Sequence, residues 1–261
     1  MTGPEELLDL ARRVAREAGQ RIEELRRDGV SVAGTKSSDV DVVTRADQAS
    51  EELIRDRLLT ERPDDGFVGE EGDDVAGTSG VRWVVDPIDG TVNYLYGIPD
   101  YAVSVAASVD GAVVAGVVLN PAAGEEFVAV RGGGATRNGD PVRVRPFVSL
   151  EQSMLATGFN YEQPVRARQA DAVARVLPRV RDIRRLGSCA LDLCGVACGR
   201  FDAYAEEGVN EWDHAAGALI AREAGARVEL ATGASGKEFI LCAPEESFAT
   251  FRDLAHDVGM I

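Results

Sequence analysis

The sequence predicts an α+β fold with an antiparallel N-terminal sheet and an α/β C-terminal half. Three observations indicate this fold. Apolar residues recur at helical spacing through the first 60 residues, two β-rich runs then flank an Asp-Gly turn typical of a hairpin, and strands and helices alternate from about residue 147. We therefore divide the chain into residues 1–146 and residues 147–261, and we expect the two halves to share an interface.

The first half is predicted to begin with two amphipathic helices. One covers about residues 4–27, and the other runs from Thr44 to about Thr60 with its apolar residues on one face. Strands follow at short intervals, separated by Gly-rich, Asp-Gly and Asn-Gly turns. In chain order they are "GFVG", "RWVVD", residues 101–109, residues 112–119 and "EEFVAVRGGGATRNGDPVRV".

In the second half, strands and helices are predicted to alternate along the chain. Short β-rich runs are separated by segments with helical periodicity, and Gly225 marks the end of one helix. The predicted strands are "SMLATGF", "DIRRLG", "FDAYAE", "ARVEL" and "EFILCA", and the predicted helices are "QADAVARVLPRV", "SCALDLCGVACG", "DHAAGALIAREAG" and "PEESFATFRDLAHDV".

Composition argues against several classes of protein. The chain has 261 residues and a formal net charge of −16, so its surface would repel nucleic acid. No window approaches 18 consecutive apolar residues and the first helix lacks the apolar core of a secretory signal, so we expect a cytoplasmic protein without a membrane partner. Four cysteines without a C-x-x-C pair argue against a zinc site.

Two aspartates end a buried strand in the segment "WVVDPIDGTVNY". Asp86 and Asp89 would form an oxygen-rich site of the kind that hard cations such as Mg²⁺ prefer. Pro87 sharpens the turn, and the N–H groups of Gly90 and Thr91 could hold phosphate oxygens. The same residue types also build ordinary surface turns, so the segment alone leaves both interpretations open.

Further acids lie at similar boundaries between apolar and polar segments. Glu70 and Glu71 follow a short strand, Asp47 lies in the first turn of the second helix, and Asp213 begins another helix after Trp212. Each has a local alternative, because acids in a first helical turn stabilise the helix dipole and Asp213 could be a plain N-cap. Several such acids in one chain nevertheless indicate a common function.

The motifs become specific in combination. "GEEG", "WVVDPIDGTVNY" and the much later "WDHAAGALIAREAG" together closely resemble the inositol monophosphatase family, and "KSSDVDVVTRAD" and "LGSCALDLCGVACGRFDAYAE" also match its pattern. The resemblance spans roughly residues 36–230. It implies a layered α/β/α/β/α sugar-phosphatase fold, Mg²⁺-dependent hydrolysis of small phosphomonoesters, and a homodimer.

The resemblance also implies a set of metal ligands. Glu70, Asp86 and the carbonyl of Ile88 are similar to the ligands of one Mg²⁺ ion, and Asp86, Asp89 and Asp213 to those of a second. Glu70 would help to hold a weaker third ion, so two or three ions per site are implied. Most of these ligands come from the first half of the chain, and the second half completes the site between them.

Catalytic and substrate-binding roles follow from the same resemblance. Asp47 and Thr91 resemble the pair that polarises and aims the attacking water, with Glu70 beside them, and Lys36 resembles a charge at the same mouth. The amides of Gly90 and Thr91 would hold the phosphate. The remaining expected contacts, to substrate hydroxyls, are Asp89, Cys189 and Glu206, and Glu71 matches a nearby acid without an assigned role.

This chemistry agrees with the residue types present. Phosphoryl transfer needs positioning and charge neutralisation more than a covalent nucleophile, and a bound metal lowers the pKa of its water from about 15.7 towards 7. No Ser-His-Asp or Cys-His set is therefore required. Paired aspartates at the end of a buried strand are tolerable if cations share their field.

Three alternatives for the activity remain. The main expectation is a phosphatase for myo-inositol monophosphate or similar sugar phosphates. A sibling phosphatase would act on fructose 1,6-bisphosphate, 3′-phosphoadenosine phosphate or histidinol phosphate, and Glu211 immediately before Trp212 keeps the second of these open. The third alternative is a catalytically inactive metal-binding regulatory protein on the same scaffold.

Overall fold

A computed structural model describes residues 3–27, 29–30, 32–35, 42–72 and 74–261. Lys36, predicted at the mouth of the site, lies outside these residues. The α-helices are α1 (Pro4–Arg27), α2 (Arg45–Glu61), α3 (Thr91–Tyr96), α4 (Gln163–Val176), α5 (Cys189–Ala197), α6 (Glu211–Glu223) and α7 (Phe248–Val258). The strands are β1 (Val32–Thr35), β2 (Val42–Thr44), β3 (Gly66–Gly69), β4 (Val81–Asp89), β5 (Ala102–Val109), β6 (Ala112–Asn120), β7 (Glu125–Val130), β8 (Gly134–Arg137), β9 (Asp140–Pro141), β10 (Met154–Thr157), β11 (Asp182–Arg184), β12 (Ala203–Glu207), β13 (Ala226–Thr232) and β14 (Glu238–Pro244).

These elements stack in five layers. Helices α1 and α2 cover one face of a seven-stranded sheet, α5 and α6 fill the space between that sheet and a five-stranded sheet, and α4 and α7 cover the far face. Three clusters of buried apolar residues separate the layers, and the central one draws residues from both sheets. The predicted layered α+β architecture is confirmed, whereas the division at residue 146 stays a prediction.

The seven-stranded sheet has the order β3-β4-β5-β6-β7-β8-β9. Its pairs are antiparallel except for β3 and β4, which run parallel. Side chains of β5 alternate between its two faces: Val103 and Val105 join the cluster beneath α1, and Ala102 and Ala106 join the cluster around α6. Burial on both faces explains why this strand is almost continuously apolar.

The five-stranded sheet has the order β11-β10-β12-β14-β13. Strand β10 is parallel to both β11 and β12, and the other two pairs are antiparallel. Parallel neighbours require crossover connections, which α4 and α5 provide. Helix α5 therefore lies between the sheets, where its N-terminus can reach the residues at the end of β4.

The local predictions agree closely with these elements, and the differences have physical causes. Helix α1 has the predicted bounds, and α2 begins one residue later because Thr44 is its N-cap. Strand β4 does not end at Asp86 but continues to Asp89 through an irregularity. Helix α3 was not predicted, because its six residues are too few to show a helical periodicity. The parallel pairing of β3 with β4 was not predicted either, because the choice of a neighbouring strand leaves no periodic pattern in the sequence.

None of the helices within the described residues is both long enough and apolar enough to cross a membrane.

We expect Gly116→Val to destabilise the protein at the contact between β6 and α6. A Cβ atom at Gly116 would lie 3.1 Å from the Cα atom of Ala216 and 3.2 Å from its carbonyl oxygen, so a larger side chain must push the helix from the sheet. Overpacking of this kind costs about 1–3 kcal/mol, measurable by urea unfolding.

Ala112→Val at the partly exposed start of the same strand is the matched control, with an expected change within about 0.5 kcal/mol. A Gly116→Val protein as stable as the unsubstituted chain would contradict the close packing of α6 against the sheet.

Candidate active site

Most of the predicted site residues line one pocket of about 320 Å³. It lies between the two halves of the chain and is lined by parts of β4, α3, α5, α6 and the loops around them. The predicted site residues that line it are Glu70, Asp86, Ile88, Asp89, Gly90, Thr91, Cys189, Glu206 and Asp213.

A β-bulge lets Asp86 and Asp89 serve the same pocket. Residues three apart on a regular strand point to opposite faces. Between Asp86 and Asp89, however, β4 uses three steps where β5 uses two, since Asp86 pairs with Ser104 and Asp89 with Ala102. The extra residue reverses the alternation, so both carboxylates reach the pocket while the Ile88 side chain packs beneath α1.

The N-terminus of α5 holds Asp89. Its Oδ2 atom accepts hydrogen bonds from the hydroxyl of Ser188 at 2.6 Å and the backbone N–H of Ala190 at 2.7 Å. These bonds and the helix dipole favour the charged form. Burial outweighs them, and with the nearby charges of Glu206 and Glu70 it raises the pKa of Asp89 to about 7.

Asp213 lies at the third position of α6 rather than at its N-cap. Asn210 is the N-cap residue, and its backbone N–H donates to Oδ2 of Asp213 at 2.6 Å in a capping box. The interpretation of Asp213 as a plain N-cap is therefore wrong. Burial, followed by the charges of Asp89 and Glu70, raises the pKa of Asp213 well above its ordinary value.

A second capping box aims Asp47 at Thr91. Oδ2 of Asp47 accepts the backbone N–H of Thr44 at 2.8 Å, and Oδ1 lies 2.9 Å from Oγ1 of Thr91. The same hydroxyl lies 3.1 Å from the carbonyl oxygen of Ile88, so its one proton has two acceptors. Burial raises the pKa of Asp47, while its bonds to both threonines act in the opposite direction.

Gly90 allows the backbone to turn between β4 and α3. Its φ of +96° lies in the left-handed region that favours glycine. A Cβ atom there would also lie 2.9 Å from the carbonyl oxygen of Asp100 and 3.2 Å from that of Gly187. Any other residue at this position would therefore displace the loops that carry the adjoining wall of the pocket.

Glu70 is held at the pocket through a residue that the sequence analysis missed. Glu51 on α2 is buried, and its Oε2 atom accepts the backbone N–H of Glu71 at 2.7 Å. This bond fixes the loop after β3, where Glu70 lines the pocket. Glu51 lies one helical turn after Asp47, so two acids on one helix face were the available signal.

The predicted substrate-contact residues form the wall beside α5. Glu206 accepts a hydrogen bond from the hydroxyl of Tyr204 at 2.8 Å, and burial raises the pKa of the Glu206 carboxyl. Cys189 is buried at the start of α5. Burial, with the charges of Asp89, Asp213 and Glu206, raises the pKa of its thiol well above the ordinary value. The neutral thiol is therefore the favoured form here, despite the helix N-terminus.

The side chains of the pocket suit a hard divalent cation by their chemistry. They offer carboxylate and carbonyl oxygens, and the pKa values of Asp89 and Asp213 are raised partly by neighbouring carboxylates, an effect that a cation would reverse. Across the part of the chain that the structure describes, no group of three or more His, Cys, Asp or Glu side chains is arranged to hold a metal ion as it stands. The carboxylates thus share a pocket, and ion binding would require them to turn towards a common point.

Glu211, His214 and Glu71 have different surroundings. Glu211 forms an ion pair with Arg82, and the pocket-lining residues that the structure describes do not include it. His214, which follows Asp213, is buried, and its Nε2 atom lies 3.0 Å from Oε1 of Glu238. Glu71 contributes its backbone N–H to Glu51.

Comparison with known proteins gives a consistent result. The inositol monophosphatase family profile matches residues 4–255. The inositol-1-monophosphatase SuhB of Mycobacterium tuberculosis is 50% identical over 229 residues, 83% of this chain and 79% of that protein. The Nus factor SuhB of Pseudomonas aeruginosa is 41% identical over 239 residues, 87% and 86% of the two chains. The crystal structure of extragenic suppressor protein suhB from Bartonella henselae matches with a TM-score of 0.87 at 34% identity, covering 95% of this chain and 97% of that one.

The family match covers nearly the whole chain, including both halves that meet at the pocket. The fold match extends equally far. The resemblance inferred from the motifs is confirmed: the chain belongs to the inositol monophosphatase family and is a phosphoric monoester hydrolase.

Proposed function

We propose that this enzyme hydrolyses myo-inositol monophosphate or a similar small sugar phosphate, with Mg²⁺ as cofactor and water as nucleophile. The observation that carries the proposal is that Glu70, Asp86, Asp89 and Asp213 line the pocket that also contains Thr91. Two findings agree with it. The family is generally Mg²⁺-dependent, and the M. tuberculosis relative bears the name inositol-1-monophosphatase.

The proposed metal ligands fall into two overlapping sets. Glu70, Asp86 and the Ile88 carbonyl would hold one ion, and Asp86, Asp89 and Asp213 a second, with Glu70 supporting a weaker third. Divalent ions bound there would activate water and neutralise charge on the phosphoryl group. Because the pKa values of Asp89 and Asp213 are raised, filling the site releases protons from these residues.

Asp47 and Thr91 are proposed to orient and deprotonate the attacking water. When the Thr91 hydroxyl donates to Asp47, at 2.9 Å, its oxygen can accept a hydrogen bond from water. The raised pKa of Asp47 makes its carboxylate a better proton acceptor than an exposed aspartate. The water oxygen would form a bond to phosphorus as its proton passes through Thr91 to Asp47, the ester P–O bond would break, and the leaving alkoxide would take a proton from solvent water to become an alcohol.

The rest of the pocket is proposed to bind the substrate. The N–H groups of Gly90 and Thr91 would bind the phosphate oxygens, and the tight packing around Gly90 fixes their direction. Asp89, Cys189 and Glu206 would contact hydroxyls of the sugar or polyol. Burial raises the pKa of Glu206, and its carboxyl oxygens can accept hydrogen bonds from a hydroxyl-rich ligand.

A second candidate function comes from the names of other relatives. The P. aeruginosa protein is called a Nus factor, so a Nus factor role beside hydrolysis is the alternative for this chain. Membership of a family of phosphoric monoester hydrolases does not favour the catalytically inactive regulatory protein considered above. A homodimer remains a prediction from the resemblance, and the lack of a nucleic-acid partner one from the net charge of −16. A cytoplasmic location remains a prediction from the sequence, which shows neither a membrane span nor the apolar core of a secretory signal.

Phosphate release from a small substrate panel tests the proposal directly. With Mg²⁺, we expect the highest kcat/KM for inositol 1-phosphate or a related sugar monophosphate, ahead of 3′-phosphoadenosine phosphate and histidinol phosphate. The position of Glu211, paired with Arg82, is the reason to expect little preference for 3′-phosphoadenosine phosphate. Hydrolysis of other phosphomonoesters but of none of these compounds would overturn the proposed substrate class.

Asp47→Asn is expected to lower kcat by about 10²–10⁴-fold, because an amide cannot accept the proton relayed by Thr91. The change is isosteric, and circular dichroism should show an intact fold, with a small loss of thermal stability from the altered capping box. Asp110→Asn, the same change in a surface turn between β5 and β6, is the matched control and should retain full activity. A loss of less than about fivefold in Asp47→Asn would refute this role.

The stabilising effect of Mg²⁺ is expected to increase with pH. The pKa of Asp89 is about 7 in the folded metal-free protein and lower in the unfolded chain, so the folded state binds more protons between about pH 4 and 7. The free energy of unfolding of the metal-free protein therefore falls as the pH rises through this window. Mg²⁺ replaces the lost protons, so it should raise Tm more at about pH 8 than at about pH 6.

Asp89→Asn removes the titrating group, and most of this pH dependence should disappear with it. Equal increases in Tm at both pH values in the unsubstituted protein would show that Asp89 does not couple proton release to metal binding.

A further inference from the structure

Lysine is rare in this chain, and one of its two lysines lines the candidate active-site pocket. The sequence contains 26 arginines but only Lys36 and Lys237. Lys237 follows the turn between β13 and β14, on the C-terminal side of the pocket. A lysine carries a compact charge on a flexible stem with rotatable donors, so it can turn from one anion to another more easily than a planar guanidinium.

The partner of Lys237 belongs to a different loop of the same pocket. Its Nζ atom lies 2.8 Å from Oε1 of Glu162, the residue that precedes α4. Both residues line the pocket. Their side chains are 36% and 50% exposed, and an ion pair at that exposure contributes little to stability. The ion pair therefore matters for where it holds the ammonium. It keeps the Lys237 cation at the pocket, on a carboxylate that an anionic group of a ligand can displace.

The backbone beneath Lys237 is fixed more firmly than its side chain. Oε1 of the buried Glu207 accepts the N–H groups of Ser235, at 2.7 Å, and of Lys237, at 3.3 Å. The backbone N–H of Ala234 also donates to the carbonyl of Met260 at 2.9 Å. The turn thus carries a partly exposed ammonium on a backbone that hydrogen bonds hold in place, an arrangement suited to ligand binding.

Lys237 and Arg185 are the cations among the described residues that line this pocket. Arg185 packs against Gly187, where Nη1 would lie 2.4 Å from an added Cβ, and Gly187 in turn adjoins Gly90. Through Gly187, Arg185 therefore lies near Gly90, whose backbone N–H would bind the reacting phosphate. Lys237 lies in the turn between β13 and β14 and pairs with Glu162 on the loop after β10, where the proposed mechanism assigns no anion.

We propose that Lys237 is a specificity-determining residue that binds a second anionic group of the substrate, such as the non-reacting phosphate of a sugar bisphosphate. Glu162 holds the ammonium in position until that group displaces it. This inference rests on the proposed function, because it assumes that one phosphate occupies the carboxylate-lined end. A pocket of about 320 Å³ is within the size range of small-molecule sites.

The test compares two substrates on the full-length enzyme with Mg²⁺: inositol 1-phosphate, which has one anionic group, and fructose 1,6-bisphosphate, which has two. We expect Lys237→Met to lower kcat/KM for the bisphosphate about tenfold and to leave the monophosphate within about twofold. Glu162→Gln should raise kcat/KM for the bisphosphate about two- to fivefold, because it removes a competing anion. Lys237→Arg keeps the charge and should keep most of the preference.

Arg179→Met is the matched control for the change in net charge. Arg179 pairs with Asp257 at 3.0 Å with similar exposure, 40% and 59%, and neither residue lines the pocket. It should leave the ratio of the two kcat/KM values unchanged, and Tm should confirm that each variant is folded.

Three results would overturn the inference. One is a Lys237→Met enzyme in which both substrates change by the same factor, and another is an Arg179→Met enzyme with the same selective loss. The third is an unsubstituted enzyme that hydrolyses the monophosphate but not the bisphosphate, which would leave the proposed function intact. Phosphate release from neither substrate would instead refute the proposed function, and the inference with it.

Discussion

Mutual repulsion among carboxylates is the constraint around which this structure is organised. Asp86, Asp89, Asp213 and Glu70 come from strand β4, helix α6 and the loop after β3, yet all line one pocket. Burial, followed by the charges of nearby carboxylates, raises the pKa values of Asp89 and Asp213. Carboxylates that repel one another do not stabilise a fold. The arrangement is best explained by the binding of a cation in this pocket.

Backbone N–H groups are the means by which the fold tolerates these charges. Asp47 and Asp213 each occupy the third position of a helix and accept the N–H of its N-cap residue, while Asp89 accepts an N–H and a hydroxyl from the first turn of α5. Each helix therefore orients one carboxylate, and the β-bulge in β4 brings Asp86 to the same side as Asp89. Rigid elements bring these side chains to one pocket, which suits a reaction dominated by positioning.

The sequence predicts features that depend on neighbours along the chain and misses those that depend on distant contacts. The bounds of α1 and the β5–β6 hairpin follow from periodicity and an Asp-Gly turn. The acids of the pocket could be recognised by type and motif, but their supports could not. Glu51 binds a loop 20 residues away and Glu207 one that is 28 residues away, and nothing in either local sequence distinguishes such a residue from a surface glutamate.

The two ends of the pocket also differ in how their charges are held. Helix N-termini bind oxygens of Asp89 and Asp213, although the carboxylates of the pocket must still turn towards a common point to hold an ion. In the turn before β14, Glu207 fixes the backbone, whereas the Lys237 ammonium pairs with the partly exposed Glu162. Charges held by helix termini suit the reacting group, because little reorganisation would be needed once an ion is bound. An exchangeable ion pair suits the variable part of the substrate, so the chemistry can stay constant while substrate preference changes at a few surface side chains.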